Sequence, residues 1–248
     1  VASDLYDVAG FRAGRDALRP FEPELLGDVA GLRLVHLQCH FGLDSMSWAR
    51  RGASVVGLDF SQPAVDAAND LATDLALDAA FVCADVYDAG EALGGERFDV
   101  VYTGFGALNW LPDLPRWASV VASLLRPGGR LLLAEFHPFS WVFADEDRSL
   151  GYDYFASEAL EWEVDGGSYA DAGAATANNR TIEHQHTLAD VFGAVLGAGL
   201  RVDAFQEHGY TLFPRWPDLV RHDDGTFHLP EGATNLPLMY ALVASAPA

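Results

Sequence analysis

The sequence predicts an α/β fold: a doubly wound, mostly parallel seven-stranded sheet with helices on both faces. Three observations point to it. Short apolar runs bounded by Gly and Pro recur, stretches with helical spacing alternate with them, and 248 residues, 50% of them hydrophobic and 21% charged, suit one large domain.

The strands are expected at Leu32–Leu37, Ser54–Asp59, Ala80–Ala84, Phe98–Thr103 and Arg130–Phe136, with helices over Leu43–Arg51, Pro63–Leu77 and Leu114–Leu125 between them. Such alternation implies right-handed crossovers and a parallel sheet covered on both faces. Ser61 is placed to cap the helix that Pro63 begins, and Pro127-Gly128-Gly129 is expected to break the chain before the fifth strand. From Phe136 to about Asn179 the rhythm fails, and aromatics crowd a stretch with a Gly166-Gly167 turn, which reads as a hairpin-like excursion. A helix at Leu188–Leu196, a strand near Leu200–Gln206 and a last strand near Leu238–Ala244 complete the pattern, with a loop-rich excursion between them. The domain reading is a single domain over 1–248, with an N-terminal helical lid at about 1–31 and substrate caps at about 138–180 and 209–237.

Charge narrows the function classes. Fifteen basic residues, all Arg, stand against 36 acidic ones for a net charge of −21, and the chain has no Lys, which excludes a lysine Schiff base and a phosphate-gripping Walker lysine. So acidic a field repels phosphate backbones and anionic lipid, so a small-molecule substrate is expected, with no nucleic acid and no membrane partner. Cys39 and Cys83 form no spaced cysteine motif and the chain opens without a basic-then-apolar leader, from which a cytoplasmic setting is expected. Nothing in the pattern sets an oligomeric state.

In an open parallel sheet, ligands sit outside the carboxyl ends of the strands, where the topology switches. The first end reads Leu37-Gln38-Cys39-His40-Phe41-Gly42, where Gly42 lets a ligand approach and the next helix presents its N-terminus. The second ends on Asp59-Phe60-Ser61; Asp59, 17 positions after Gly42, is spaced to accept ribose hydroxyls or else to cap a helix, and Phe60 to pack on a base. The third ends Asp85-Val86, where Asp85 is either an acceptor for the adenine amino group or a solvated turn acid. The first turn lacks the Gly-x-Gly-x-x-Gly of a nicotinamide dehydrogenase.

Together with Phe98-Asp99-Val100-Val101 and Leu125-Arg126-Pro127-Gly128-Gly129, these segments resemble a class I S-adenosylmethionine-dependent methyltransferase over roughly residues 30–137. The resemblance implies a Rossmann-like methyltransferase fold with an antiparallel ending. It also implies S-adenosyl-L-methionine as cofactor, S-adenosyl-L-homocysteine as product, and a cofactor site at Tyr6, Gln38, Cys39, His40, Gly42, Asp59, Phe60, Ser61, Asp85, Val86 and Thr103. In related enzymes an N-terminal segment closes over the methionine end, which adds Arg15 beside Tyr6. The first loop departs from the family: His36, Gln38 and His40 stand where an acid and two glycines are usual, although Cys39 and Gly42 match. Non-glycine residues make that turn provided none needs positive φ, and the Gln38 and His40 side chains are expected near the amino or carboxylate end of the methionine.

His137, which ends the fifth strand, is the candidate catalytic base, against a reading in which it only orients a loop. Glu135 is expected to be buried and hydrogen-bonded near the cofactor. His184 and His186 share one face if that segment is a strand, but with no nearby third ligand no metal site is expected. The function that follows is methyl transfer to a small, partly apolar acceptor whose acceptor atom is open. The alternatives are an enzyme that cyclises or cleaves S-adenosylmethionine, and a noncatalytic nucleoside-binding module.

Overall fold

The computed structural model describes residues 7–163 and 180–248. Two short helices, α1 (Val8–Arg12) and α2 (Phe21–Leu26), precede the first strand. Then β1 (Arg33–Leu37), α3 (Leu43–Arg50), β2 (Ser54–Asp59), α4 (Gln62–Asp74), β3 (Ala79–Cys83), α5 (Ala89–Ala92), β4 (Phe98–Thr103), α6 (Leu114–Leu124) and β5 (Leu125–Phe136) alternate as the sequence predicts, apart from the one-turn α5, which no helical spacing announced. The chain continues through β6 (Leu160–Glu163), β7 (Arg180–Glu183), α7 (Leu188–Gly197), β8 (Arg201–His208), β9 (Tyr210–Thr211), β10 (Val220–Arg221), β11 (Phe227–His228) and β12 (Met239–Ser245).

The main sheet has seven strands in the order β3-β2-β1-β4-β5-β12-β8, parallel through β5 and antiparallel where β12 pairs with both β5 and β8. Strand order runs outward from β1 to β3 and then returns to β4 on the other side of β1, which opens a crevice outside the ends of β1 and β4. Apolar side chains alternate to the two sides. Val35, Val101, Leu131 and Leu133 pack with Trp117, Val121 and Val195 of α6 and α7, whereas Leu34, Val100 and Leu132 pack with Leu26 and Trp48 on the other face. Burial on both faces explains why these strands read as continuous apolar runs.

Several boundaries differ from the sequence expectation. The Pro127-Gly128-Gly129 run does not interrupt β5; it lies inside the strand as a bulge, where pairing with β4 jumps from Phe98↔Leu125 to Val100↔Arg130. Gly129 permits this, since a Cβ there would meet the Arg126 carbonyl oxygen at 2.9 Å. Ser61 occupies the N-cap position of α4 but makes no side-chain capping bond. That helix stops at Asp74 because Ala76 turns to φ +50°. An antiparallel pair joins β6, within the excursion after β5, to β7 just past its end, while the expected Gly166-Gly167 turn lies outside the described residues. The later loop-rich excursion holds a small three-stranded sheet, β10-β11-β9, that only tertiary contacts sustain at two residues per strand.

The Phe81 ring fills the space left by two glycines. A Cβ on Gly57 would lie 2.3 Å from Phe81 Cδ1 and 2.8 Å from Cys39 Sγ, and one on Gly42 would lie 2.3 Å from Phe81 Cε1. Gly57→Ala should therefore destabilise the fold by about 1–3 kcal/mol through overpacking. Urea unfolding checks this, and an unchanged midpoint would mean that Phe81 moves aside freely.

Candidate functional site

The turn between β1 and α3 is the part of the site that the sequence reading misjudged. Gln38 has φ +57°, His40 φ +49° and Gly42 φ +79°, so every second residue is left-handed, including two with side chains. The condition set for non-glycine residues here, that none needs positive φ, is not met, yet the turn forms: each such residue costs roughly 1–2 kcal/mol, and the surrounding bonds hold it. The Cys39 amide donates to Leu58 O (3.0 Å), the His40 amide to Asp59 Oδ2 (2.8 Å) and the Gly42 amide to Cys39 O (2.9 Å), which ties the turn to the end of β2. The signal for this was already present: both residues stand where the resembled family has glycines.

Asp59 is buried, and its second oxygen accepts the Ser61 amide at 2.9 Å. Each carboxylate oxygen thus takes one backbone donor and keeps acceptor capacity for another. It does not cap α4. Beside it, Phe60 is 77% exposed, an unusual state for a large aromatic at a strand end. Asp85 caps the 3-10 turn Val86–Asp88 through Tyr87 N–H (2.8 Å to Oδ1), so its turn role is real and occupies one oxygen, while Val86 is buried in the core beneath. Thr103 is fully buried at the end of β4 and its hydroxyl has no partner among the described residues.

After β4 the chain bends around Glu135. This buried carboxylate accepts backbone N–H groups from Gly106 (2.5 Å), Ala107 (2.9 Å), Leu108 (3.0 Å) and Phe136 (2.7 Å). Burial pushes its pKa up and the four donors oppose the shift. Gln38 joins the same loop, since its Nε2 donates to Ala107 O at 2.9 Å.

A polar cluster lies behind Gly104, where a Cβ would meet Tyr102 Oη, His36 Nε2 and Asp44 Oδ2 within 3.3–3.6 Å. His36, in the family's usual acid position, is neutral: burial lowers its pKa to about 3, and Nδ1 lies 2.7 Å from Ser45 Oγ. Glu22 accepts from Tyr102 Oη (2.5 Å) and from the Arg19 amide (2.6 Å), and burial with the nearby Asp44 raises it to about 8. Arg19 and Glu22 were not legible as site residues, because nothing local in the sequence brings that N-terminal segment to the end of β4.

His137 is buried, with Nδ1 accepting the Phe139 amide (3.1 Å) and Nε2 lying 2.9 Å from Glu207 Oε1. A ring that accepts at Nδ1 carries its proton on Nε2, so neither nitrogen has a free lone pair, and this geometry opposes the general-base expectation. Beyond it, Phe136, Trp141 and Phe213 form a ring cluster, with Arg215 4.1 Å above Trp141. His184 and His186 follow β7 rather than sitting in it, and His186 Nε2 contacts Leu111 O at 2.7 Å. Among the described residues no group of three or more His, Cys, Asp and Glu is arranged to hold a metal. Tyr6 lies outside the described residues, and Arg15 pairs with Asp7 at 2.6 Å.

Residues 35–131 match the model of a family described as a methyltransferase domain, the span from β1 through most of β5. Those residues belong to the class I S-adenosylmethionine-dependent methyltransferases. A ubiquinone biosynthesis O-methyltransferase from Alkalilimnicola ehrlichii is 31% identical over 123 residues, 49% of this chain and 49% of that protein. One from Ralstonia nicotianae is 34% identical over 113 residues, 44% of this chain and 45% of that protein. The chain thus spans about half the length of the curated relatives it matches. The fold extends further: the crystal structure of an S-adenosylmethionine-dependent methyltransferase from Mesorhizobium loti superposes with TM-score 0.59 at 21% identity, covering 91% of this chain and 96% of that one.

The methyltransferase crevice fits S-adenosylmethionine in its donor and acceptor chemistry. Gln38 Oε1, Thr103 Oγ1 and Arg19 Nε are buried without a partner among the described residues, two of them able to accept and two to donate. Buried polar atoms of this kind are uncommon unless a ligand or water completes them. No helix among the described residues is long and apolar enough to cross a membrane.

Two outcomes follow for the buried acids. Glu135→Gln replaces one acceptor oxygen by an NH2 group facing backbone donors, and should destabilise the domain by about 2–4 kcal/mol in urea unfolding. For Glu22, the folded chain keeps a proton up to about pH 8 that the unfolded chain releases near 4.5. Its contribution is therefore complete below pH 4.5 and is lost as pH rises through 8. Glu22→Gln should flatten the fall in stability across that window, and an identical pH slope in the variant would assign the fall to other groups.

Proposed function

We propose that this methyltransferase domain transfers a methyl group from S-adenosylmethionine to a hydroxyl of a small, partly apolar molecule. The observation that carries the reading is Asp59, a buried carboxylate at the end of β2 beside the switch point, pinned by the His40 and Ser61 amides with the exposed Phe60 ring next to it. A carboxylate accepts from both ribose hydroxyls at once, one on each oxygen. Asp85 and the backbone at Val86 read the adenine amino edge, and Phe60 with Ser61 covers the base. Gln38, Cys39, His40, Gly42 and Thr103 surround the methionine end, with Arg19 as a further cation near it. Oxygen as the acceptor atom is supported by the names of the O-methyltransferase relatives.

The bound cofactor supplies an electrophilic methyl group on a sulfonium. This chain's residues supply alignment and exclusion of water, which suffice for much of the acceleration when a displacement loses charge. Glu135 holds the loop after β4 that faces the acceptor side, and Phe105, Phe136, Trp141 and Phe213 offer an apolar wall to the acceptor. His137 caps the turn over Pro138–Val142 and fixes the cap to β8 through Glu207.

The decisive experiment is incubation with S-adenosylmethionine and a panel of phenols and other hydroxyl acceptors, with mass spectrometry of the products. Methylated acceptor plus S-adenosylhomocysteine supports the reading. Cofactor fragments without a methylated product point to cyclisation or cleavage, and binding without turnover to a noncatalytic module. In calorimetry, Asp59→Ala should weaken S-adenosylhomocysteine binding by about 1.5–3 kcal/mol; unchanged affinity with an intact fold removes Asp59 from the site. His137→Gln should leave any acidic limb of the pH–rate profile in place, as expected of a residue that positions a loop. Loss of that limb would restore His137 as the base.

A further inference from the structure

Gln38 occupies a position where glycine would adopt the observed φ of +57° without strain. Its side chain is nevertheless held in one orientation. Nε2 donates to Ala107 O at 2.9 Å, and the Ala107 amide is itself fixed by Glu135 Oε2 at 2.9 Å. A carbonyl oxygen only accepts, so the NH2 end of the amide must face Ala107 and Oε1 must face away from it. Oε1 is buried and has no partner among the described residues. A buried acceptor aimed by this chain of contacts, on a backbone that tolerates strain to place it, calls for a ligand that donates.

Resting on the cofactor reading above, we infer that Gln38 is a specificity-determining residue for the amino-acid end of the cofactor, its Oε1 accepting a hydrogen bond from the α-ammonium group. Of the groups at that end, the carboxylate and the sulfonium donate nothing, so the ammonium is the donor that matches. The ribose hydroxyls and the adenine amino group lie at the other end of the molecule, where Asp59 and Asp85 wait. Glu135 acts at one remove. By holding the Gly106–Leu108 amides it sets the position of the Ala107 carbonyl, and that carbonyl sets which way the Gln38 amide points.

The test compares S-adenosylhomocysteine with its deaminated analogue, which keeps the carboxylate and lacks the ammonium, by isothermal titration calorimetry on the full chain. Gln38→Leu should lose about tenfold or more in affinity for S-adenosylhomocysteine, the lower end of a hydrogen bond to a charged group, with little loss for the analogue. Gln38→Gly should show the same selective loss while melting no lower than the wild type, since its backbone strain is relieved, and it carries the test if the Leu variant misfolds. Equal losses for both ligands, or no loss for S-adenosylhomocysteine, would overturn the inference. Asp59→Ala separates the two levels: it should weaken both ligands alike. If the wild type binds both ligands and Asp59→Ala weakens both, an unchanged Gln38 selectivity sinks this inference alone; a folded wild type that binds neither ligand sinks the cofactor reading with it.

Discussion

The site depends on one buried carboxylate. Glu135, near the end of β5, gathers four backbone N–H groups, three of them from the loop that leaves β4. A carboxylate in an apolar interior is costly unless its lone pairs are filled, and here the chain fills them by bending back on itself. The bend brings the Ala107 carbonyl beside the end of β1, where it meets the Gln38 amide. Strands β1 and β4 therefore share more than a ladder: beyond their last paired residues, a hydrogen-bonded loop keeps the crevice in one shape.

On the other side of β1 a second carboxylate does similar work. Asp59 takes one amide from its own chain direction at Ser61 and one from the β1–α3 turn at His40. The strained turn is thus anchored to β2 on one flank and to the post-β4 loop on the other. Left-handed Gln38 and His40 would be expensive in a free loop; between two carboxylate-organised neighbours they are fixed features of the crevice.

Behind the crevice, the N-terminal segment completes the enclosure. Glu22 of α2 reaches Tyr102 of β4, and Phe21 stacks on His208 of β8 at 4.2 Å. Residues that precede the first strand thereby contact the two halves of the sheet. Beyond β5, His137 fastens the following turn to Glu207 of β8, and Arg215 links the two excursions through the Phe143 carbonyl and Asp145. The many aromatic residues of those excursions are packed with one another and with cationic groups, which gives an apolar wall a defined shape.

The sequence by itself determined the doubly wound sheet, the places of its main strands and helices, and the acids at the ends of β2 and β3. These are local matters: period-2 and period-3.6 patterns, Gly and Pro punctuation, and a spacing between turn and acid that the chain's geometry imposes. Its resemblance to the family showed that Gln38 and His40 stand where glycines are usual, but not that their backbone would turn left-handed regardless, since the bonds that hold it come from Asp59 and Ala107. Tertiary structure alone decided that Pro127-Gly128-Gly129 is a bulge within β5, that both His137 nitrogens are occupied, and that Glu22 and Arg19 join the end of β4. Each of those outcomes depends on a partner far along the chain, and the protonation of a buried group depends on everything around it.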